Sequence, residues 1–125
     1  MFPNEMKGLK DYQKFHQWMD KEKGFRDDLF QTMILLTGEV GEVADVLKKL
    51  RWRAHLLEQE MGAEAAAVQA AAECQESLGF ELADCLAYLL KMANCAGIDL
   101  EEAYLEKMAR NVRRTWSSPR AGSEG

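Results

Sequence analysis

The sequence has little that bends or breaks a chain. Only two prolines occur among 125 residues, Pro3 and Pro119, and both stand near the ends. There is no alternating apolar–polar run and no Asn-Gly or Asp-Gly pair, so nothing signals a strand or a hairpin turn. No apolar run approaches the roughly 18 residues of a membrane span. The N-terminal stretch MFPNEMKGLKD has no apolar core of a signal peptide. The cysteines, Cys74, Cys85 and Cys95, are odd in number and show no CxxC spacing. On one helix Cys85 and Cys95 would lie about 15 Å apart, too far for a disulfide. They read as reduced core residues of a soluble, cytoplasmic protein. Basic residues are outnumbered, 16 against 21 acids, for a net charge of −5. That balance argues against a nucleic-acid partner, which calls for a basic excess. A small anionic ligand stays open, because a bound cation reverses the local charge.

What remains is helix with glycine punctuation. Apolar residues make up 47% of the chain, enough for one core. A first helix is expected from about Met6 to Lys23, with Gly24 as its C-terminal cap. A second starts near Asp27 and Asp28 and runs to Trp52 or Arg53. A third region ends near Cys95, with Gly97 behind it. A fourth begins at Asp99, where Asp99-x-x-Glu102 resembles a capping box, and runs to about Arg114. The segment from Ala54 to Leu78 either extends the third helix backward or forms a short helix of its own. Gly62 and Gly79 are the expected interruptions. The fold class is therefore all-α, a four- to five-helix bundle over residues 1–116, with a disordered polar tail over 117–125.

Stepping each helix by about 100° per residue places acids where apolar residues belong. On helix two Leu35, Leu36, Val43, Val46 and Leu50 share a face. Glu39 stands in its middle and Glu42 at its edge. On helix three Cys85, Tyr88, Met92 and Cys95 form the apolar face, with Glu81 in its middle and Asp84 at its edge. The two segments, Gly38 to Leu47 and Gly79 to Tyr88, also resemble one another weakly. A lone acid pair of this kind is usually met by lysine or arginine. Two pairs, both aimed into apolar faces, point instead to a shared hard cation, because buried carboxylates without a partner are costly. Mg²⁺ prefers oxygen ligands and tolerates several carboxylates. No HxxxH, cysteine pair or Glu-x-x-His occurs, which disfavours zinc and ferritin-type iron.

Glu39-x-x-Glu42 followed by Glu81-x-x-Asp84 resembles the ExxE…ExxD signature of MazG-like all-α nucleoside triphosphate pyrophosphohydrolases. Leu36 to Ala44 and Glu81 to Leu89 resemble that family's two core helices. Ala96 to Ala103, with Lys107-x-x-x-Asn111-x-x-Arg114, resembles its last helix. The resemblance covers about Leu9 to Trp116. It implies Mg²⁺-dependent cleavage of (deoxy)nucleoside triphosphates between the α- and β-phosphates, with Mn²⁺ as a possible substitute. It also implies a homodimer or homotetramer, and it makes Glu39, Glu42, Glu81 and Asp84 the metal ligands and catalytic residues. Two features depart from the pattern. The spacing from Glu42 to Glu81 is longer than in compact members, and Phe80 stands where an acid often precedes the second pair.

Other residues are weaker candidates. Lys107 and Asn111, with Arg114, form one polar stripe suited to phosphates, or a basic last turn that answers the helix dipole. His16 and Phe25 suit contact with the base, or the core. Lys48, Lys49, Arg51 and Arg53 suit phosphate binding, or the dipole at the end of helix two and solubility, and Trp52 a pocket or an interface. The competing reading is a non-catalytic helical module that binds metal or a partner.

Overall fold

The computed structural model describes residues 5–25 and 28–117, the last three by their backbone alone. Among the described residues there are four α-helices and no strand: α1 (Leu9–Lys23), α2 (Leu29–Met61), α3 (Ala63–Ala96) and α4 (Leu100–Ser117). The chain divides into two compact units, one of Met1–Arg26 with Ala93–Gly125, the other of Asp27–Met92. The expected tail lies outside the described residues, except Ser117, which ends α4. No described helix is long and apolar enough to cross a membrane.

Asp27 and Asp28 were both expected at the start of helix two. Asp27 lies outside the described residues, while Asp28 is the cap and accepts from the Gln31 N–H at 2.7 Å. Thr32, fully buried, donates its hydroxyl to the Asp28 carbonyl at 2.6 Å. The helix then passes the expected stop at Trp52 or Arg53 and continues to Met61. Ala54 to Met61 is rich in good helix formers, and Leu57 within it is buried. Gly62 ends α2 at φ 86°, a conformation that an L side chain resists. The chain reverses there, and α3 begins at once.

Gly79 does not interrupt anything. It lies inside α3, in a helix that is continuous from the alanine-rich stretch to Ala96. One glycine costs about 1 kcal/mol against alanine, too little to break a helix held on both sides. So the doubtful segment splits at Gly62, its first part joining α2 and its second part α3.

In the unit Asp27–Met92, α2 and α3 form an antiparallel hairpin. Close to the turn, Arg53 on α2 meets Glu73 on α3 at 2.8 Å. Further out, Glu39 meets Glu81 and Asp84. The shielded positions on α2 are Thr32, Leu35, Leu36, Glu39, Val43, Val46, Leu50, Ala54 and Leu57. On α3 they include Ala66, Ala70, Cys74, Leu78, Glu81, Cys85 and Tyr88. Both series advance by three or four residues, the spacing that keeps a seam facing its partner. The face expected on α2 is thus the observed one. On α3 the expectation holds for Cys85, Tyr88 and Met92 but not for Cys95, which is exposed, while Leu90 and Ala93 are buried instead.

In the other unit α1 packs on α4, and Gln13 ties three segments together. This buried side chain donates to Asn94 Oδ1 at 3.0 Å and to the Ile98 carbonyl at 2.9 Å. Its Oε1 accepts from the Leu100 N–H at 2.9 Å, one of the amides that a helix start leaves unmet. Asn94 returns a bond to the Gln13 carbonyl at 3.0 Å. Asp99 caps α4 by accepting from the Glu102 N–H at 3.1 Å, and Lys10 reaches Asp99 at 3.3 Å. Gly24 and Gly97 close α1 and α3 in left-handed conformations, as expected.

Gln13→Leu fills the same space but removes the side-chain bonds to the Leu100 N–H, the Ile98 carbonyl and Asn94 Oδ1. It should lower stability by about 1–3 kcal/mol in urea titration. An unchanged midpoint would show that water replaces these bonds at no cost.

Candidate functional site

The site is built where the two acid-bearing turns of the hairpin face each other. Glu39 projects from the shielded face of α2, Glu81 and Asp84 from α3. One carboxylate oxygen from each lies within 4.8 Å of the others. Glu39 and Glu81 are half-buried, and Asp84 is exposed. Glu42 is exposed on the next turn of α2 and lies outside this tight group. Its charge still acts on Glu39. Three of the four acids singled out by sequence are therefore brought together, and the fourth stands beside them.

The electrostatics follow from the packing. Burial pushes the Glu39 carboxyl above its ordinary value, and the charges of Asp84 and Glu81 push in the same direction. Hydrogen bonding to Asp84 also favours the protonated form of Glu39. Cys85, the residue after Asp84, has its thiol raised by burial first and then by Glu39, Asp84 and Glu81. It is held as the thiol, not as a reactive thiolate. The donor set is oxygen-only and acidic, which suits a hard divalent cation. Such an ion would relieve the repulsion that the bare acids carry.

The remaining candidates lie in the unit of α1 and α4. His16 is buried and meets Phe15 edge-on, with ring centroids 5.3 Å apart. Phe25 follows the Gly24 cap, its N–H bonded to the Asp20 carbonyl, with its side chain 52% exposed. Lys107 lines a small cleft on α4 with Ala103, Glu106 and Arg110. Asn111 accepts from Arg114 at 3.4 Å, which joins two of the three residues of the expected stripe. Two residues of the hairpin were not singled out by sequence. Cys85 was read only as core, although its place directly after Asp84 was the available signal. Lys91 is buried with its ammonium 5.2 Å from the Tyr88 ring, and a lysine on an apolar helix gave no warning of that.

A helical hairpin that gathers carboxylates from both helices defines the class of all-α proteins with an acidic cluster between paired helices. Residues 29–116 match the MazG nucleotide pyrophosphohydrolase domain, and the chain belongs to that family. The chain is also 32% identical over 106 residues to dCTP pyrophosphatase 1 of Bos taurus. That alignment covers 85% of this chain and 58% of the relative, so the chain spans a little over half of the relative's length. No solved structure matches the chain.

The raised Glu39 carboxyl makes a signed prediction. An acid whose folded value is raised costs stability once it ionises, so the cost appears as pH rises through and above about 4.3. In chelator at pH 7, Glu39→Gln should therefore raise the melting temperature over the wild type. The gain should shrink as pH falls toward 4, where the wild-type carboxyl is itself protonated. A variant that melts lower at pH 7 would show that Glu39 is held by attraction, not repulsion.

Proposed function

We propose that the protein is a Mg²⁺-dependent nucleotide pyrophosphohydrolase. It cleaves (deoxy)nucleoside triphosphates between the α- and β-phosphates to a monophosphate and pyrophosphate. The observation that carries this reading is the convergence of Glu39, Glu81 and Asp84 from two helices within 4.8 Å. Membership of the MazG family supports the same chemistry. Glu39, Glu81 and Asp84 would hold Mg²⁺, with Mn²⁺ as its substitute. A divalent ion there supplies charge neutralisation for the phosphates and a lowered pKa for bound water. Glu42, outside the tight group yet within reach of Glu39 by its charge, is the carboxylate we assign to orienting the attacking water. The half-buried setting of Glu39 and Glu81 limits competing solvent at the acids.

Lys107 and Asn111 are proposed to meet the phosphates, and His16 and Phe25 the base. Their support is the resemblance of the last helix to that of the family and the chemistry of the side chains: an ammonium and an amide for anions, two rings for stacking. Phe25 is 52% exposed. The burial of His16 equally suits packing against Phe15. The name of the bovine relative makes dCTP the first substrate to try.

Pyrophosphate release from a panel of (deoxy)nucleoside triphosphates should appear with Mg²⁺ and vanish in chelator. Glu39→Gln should lower kcat by about a hundredfold or more while the helical circular dichroism spectrum holds. Release that persists in chelator, or an active Glu39→Gln enzyme, would sink the proposed role of the acids.

We also propose that the chain works as a homodimer or homotetramer in the cytoplasm. On the first turns of α2, Phe30 is 83% and Ile34 71% exposed. Neighbouring apolar side chains of this size on one helix are a poor surface for a lone chain. Light scattering should give two or four times the chain mass. Ile34→Glu should shift it toward the single chain, and a wild-type mass of one chain would contradict the assembly.

A further inference from the structure

The hairpin carries a second feature well away from its acids. Lys48, Lys49, Arg51 and Arg53 lie on α2 around Trp52, with no acid between Lys48 and His55. The dipole at the end of helix two, with solubility, was the expected reason for these cations, and phosphate binding the alternative. The structure removes the dipole: α2 continues to Met61, and the dipole acts only within the last turn. In a chain of net charge −5, this basic stretch in mid-helix needs another cause.

The surroundings supply one. A groove of about 650 Å³ is lined by Lys48, Lys49, Trp52, Arg53, Glu73 and Cys74, within the size range of small-molecule sites. A second hollow of about 390 Å³ is lined by Lys48, Arg51, Trp52 and His55. Lys48 and Trp52 thus border both. The indole is 62% exposed, and His55 lies against it at 5.6 Å, tilted by 32°. Glu73, an acid on the wall, is already satisfied: Arg53 holds it through two nitrogens, at 2.8 and 3.3 Å, and Gln69 donates to it at 2.9 Å. Lys48, Lys49 and Arg51 have no ion pair among the described residues. An exposed ring among unmet cations complements an aromatic ligand that carries negative charge.

We propose that the Trp52 groove is a second, metal-independent binding site for a nucleotide. The base stacks on Trp52, and the phosphates are met by Lys48, Lys49 and Arg51. Trp52 lies about 20 Å along α2 from Glu39, beyond the reach of one nucleotide whose phosphates sit at the acids of the same chain. Within one chain the site is therefore separate from the carboxylate cluster, and it suits a nucleotide that acts as an effector.

The test is calorimetric binding of dATP to the wild-type protein in EDTA. Without metal the carboxylates repel phosphate and no turnover occurs, so failure here is distinct from failure of the hydrolase reading. The expected result is saturable binding that Trp52→Ala weakens by about tenfold and Trp52→Phe largely keeps. The double variant Lys48→Glu, Lys49→Glu should weaken it as well, and inorganic triphosphate should bind less tightly than dATP. All these positions are exposed, so the variants should keep the wild-type helical spectrum; should Trp52→Ala fail to fold, the lysine variant carries the test. Absence of binding in EDTA, binding untouched by the Trp52 and lysine variants, or inorganic triphosphate binding as tightly as dATP would overturn the proposal.

Discussion

Carboxylates repel one another, and α2 and α3 hold three of them together. The seam that resists that repulsion is a two-helix zipper, with Val46, Leu57, Ala66 and Ala70 buried along it. A hairpin whose turn is the single residue Gly62 leaves little freedom for the helices to slide. The Arg53–Glu73 pair fixes register on the turn side of the acids. An exposed ion pair of this kind contributes little to stability, but its geometry sets which residues face each other. Burial first, and then the charges of Asp84 and Glu81, raise the carboxyl of Glu39 in this arrangement. A divalent cation is the partner that three carboxylates this close together suit.

Much of this was legible in the sequence because it rests on periodicity and caps. Glu39 and Glu81 stood out as charges in apolar stripes, and both are shielded in the hairpin seam. Gly24, Gly97, Asp28 and Asp99 were readable because each answers a specific need at a helix end. Gly79 misled for the opposite reason. A glycine is a weak local signal, and the alanine-rich helix before it and the packed turns after it outweigh its cost. The end of α2 was set too early because the basic run looked like a terminal turn, whereas the residues after it are equally helical. Cys95 was assigned to the core by angle alone, but α3 passes from one compact unit into the other near Met92, and the shielded face changes with it. The bonds of Gln13 could not be read at all, since they join residues far apart in sequence.

The hairpin has two chemically different ends. Its outer half gathers Glu39, Glu81 and Asp84, and the half nearer Gly62 carries Lys48, Lys49, Arg51 and the exposed Trp52. A chain with a net negative charge thus presents its positive stretch as one strip around Trp52. The exposed apolar residues on the first turns of α2 form a third surface, distinct from both. The contacts proposed for metal, nucleotide and a second subunit use different stretches of α2: Phe30 and Ile34 stand about five full turns before Lys48 and Trp52, on the same side of the helix.

The most direct measurement is an anomalous difference map from crystals of the protein grown with Mn²⁺. A peak is expected within bonding distance of carboxylate oxygens from Glu39, Glu81 and Asp84 together. A map with no peak there, or with manganese bound only at acids outside the hairpin seam, would contradict it.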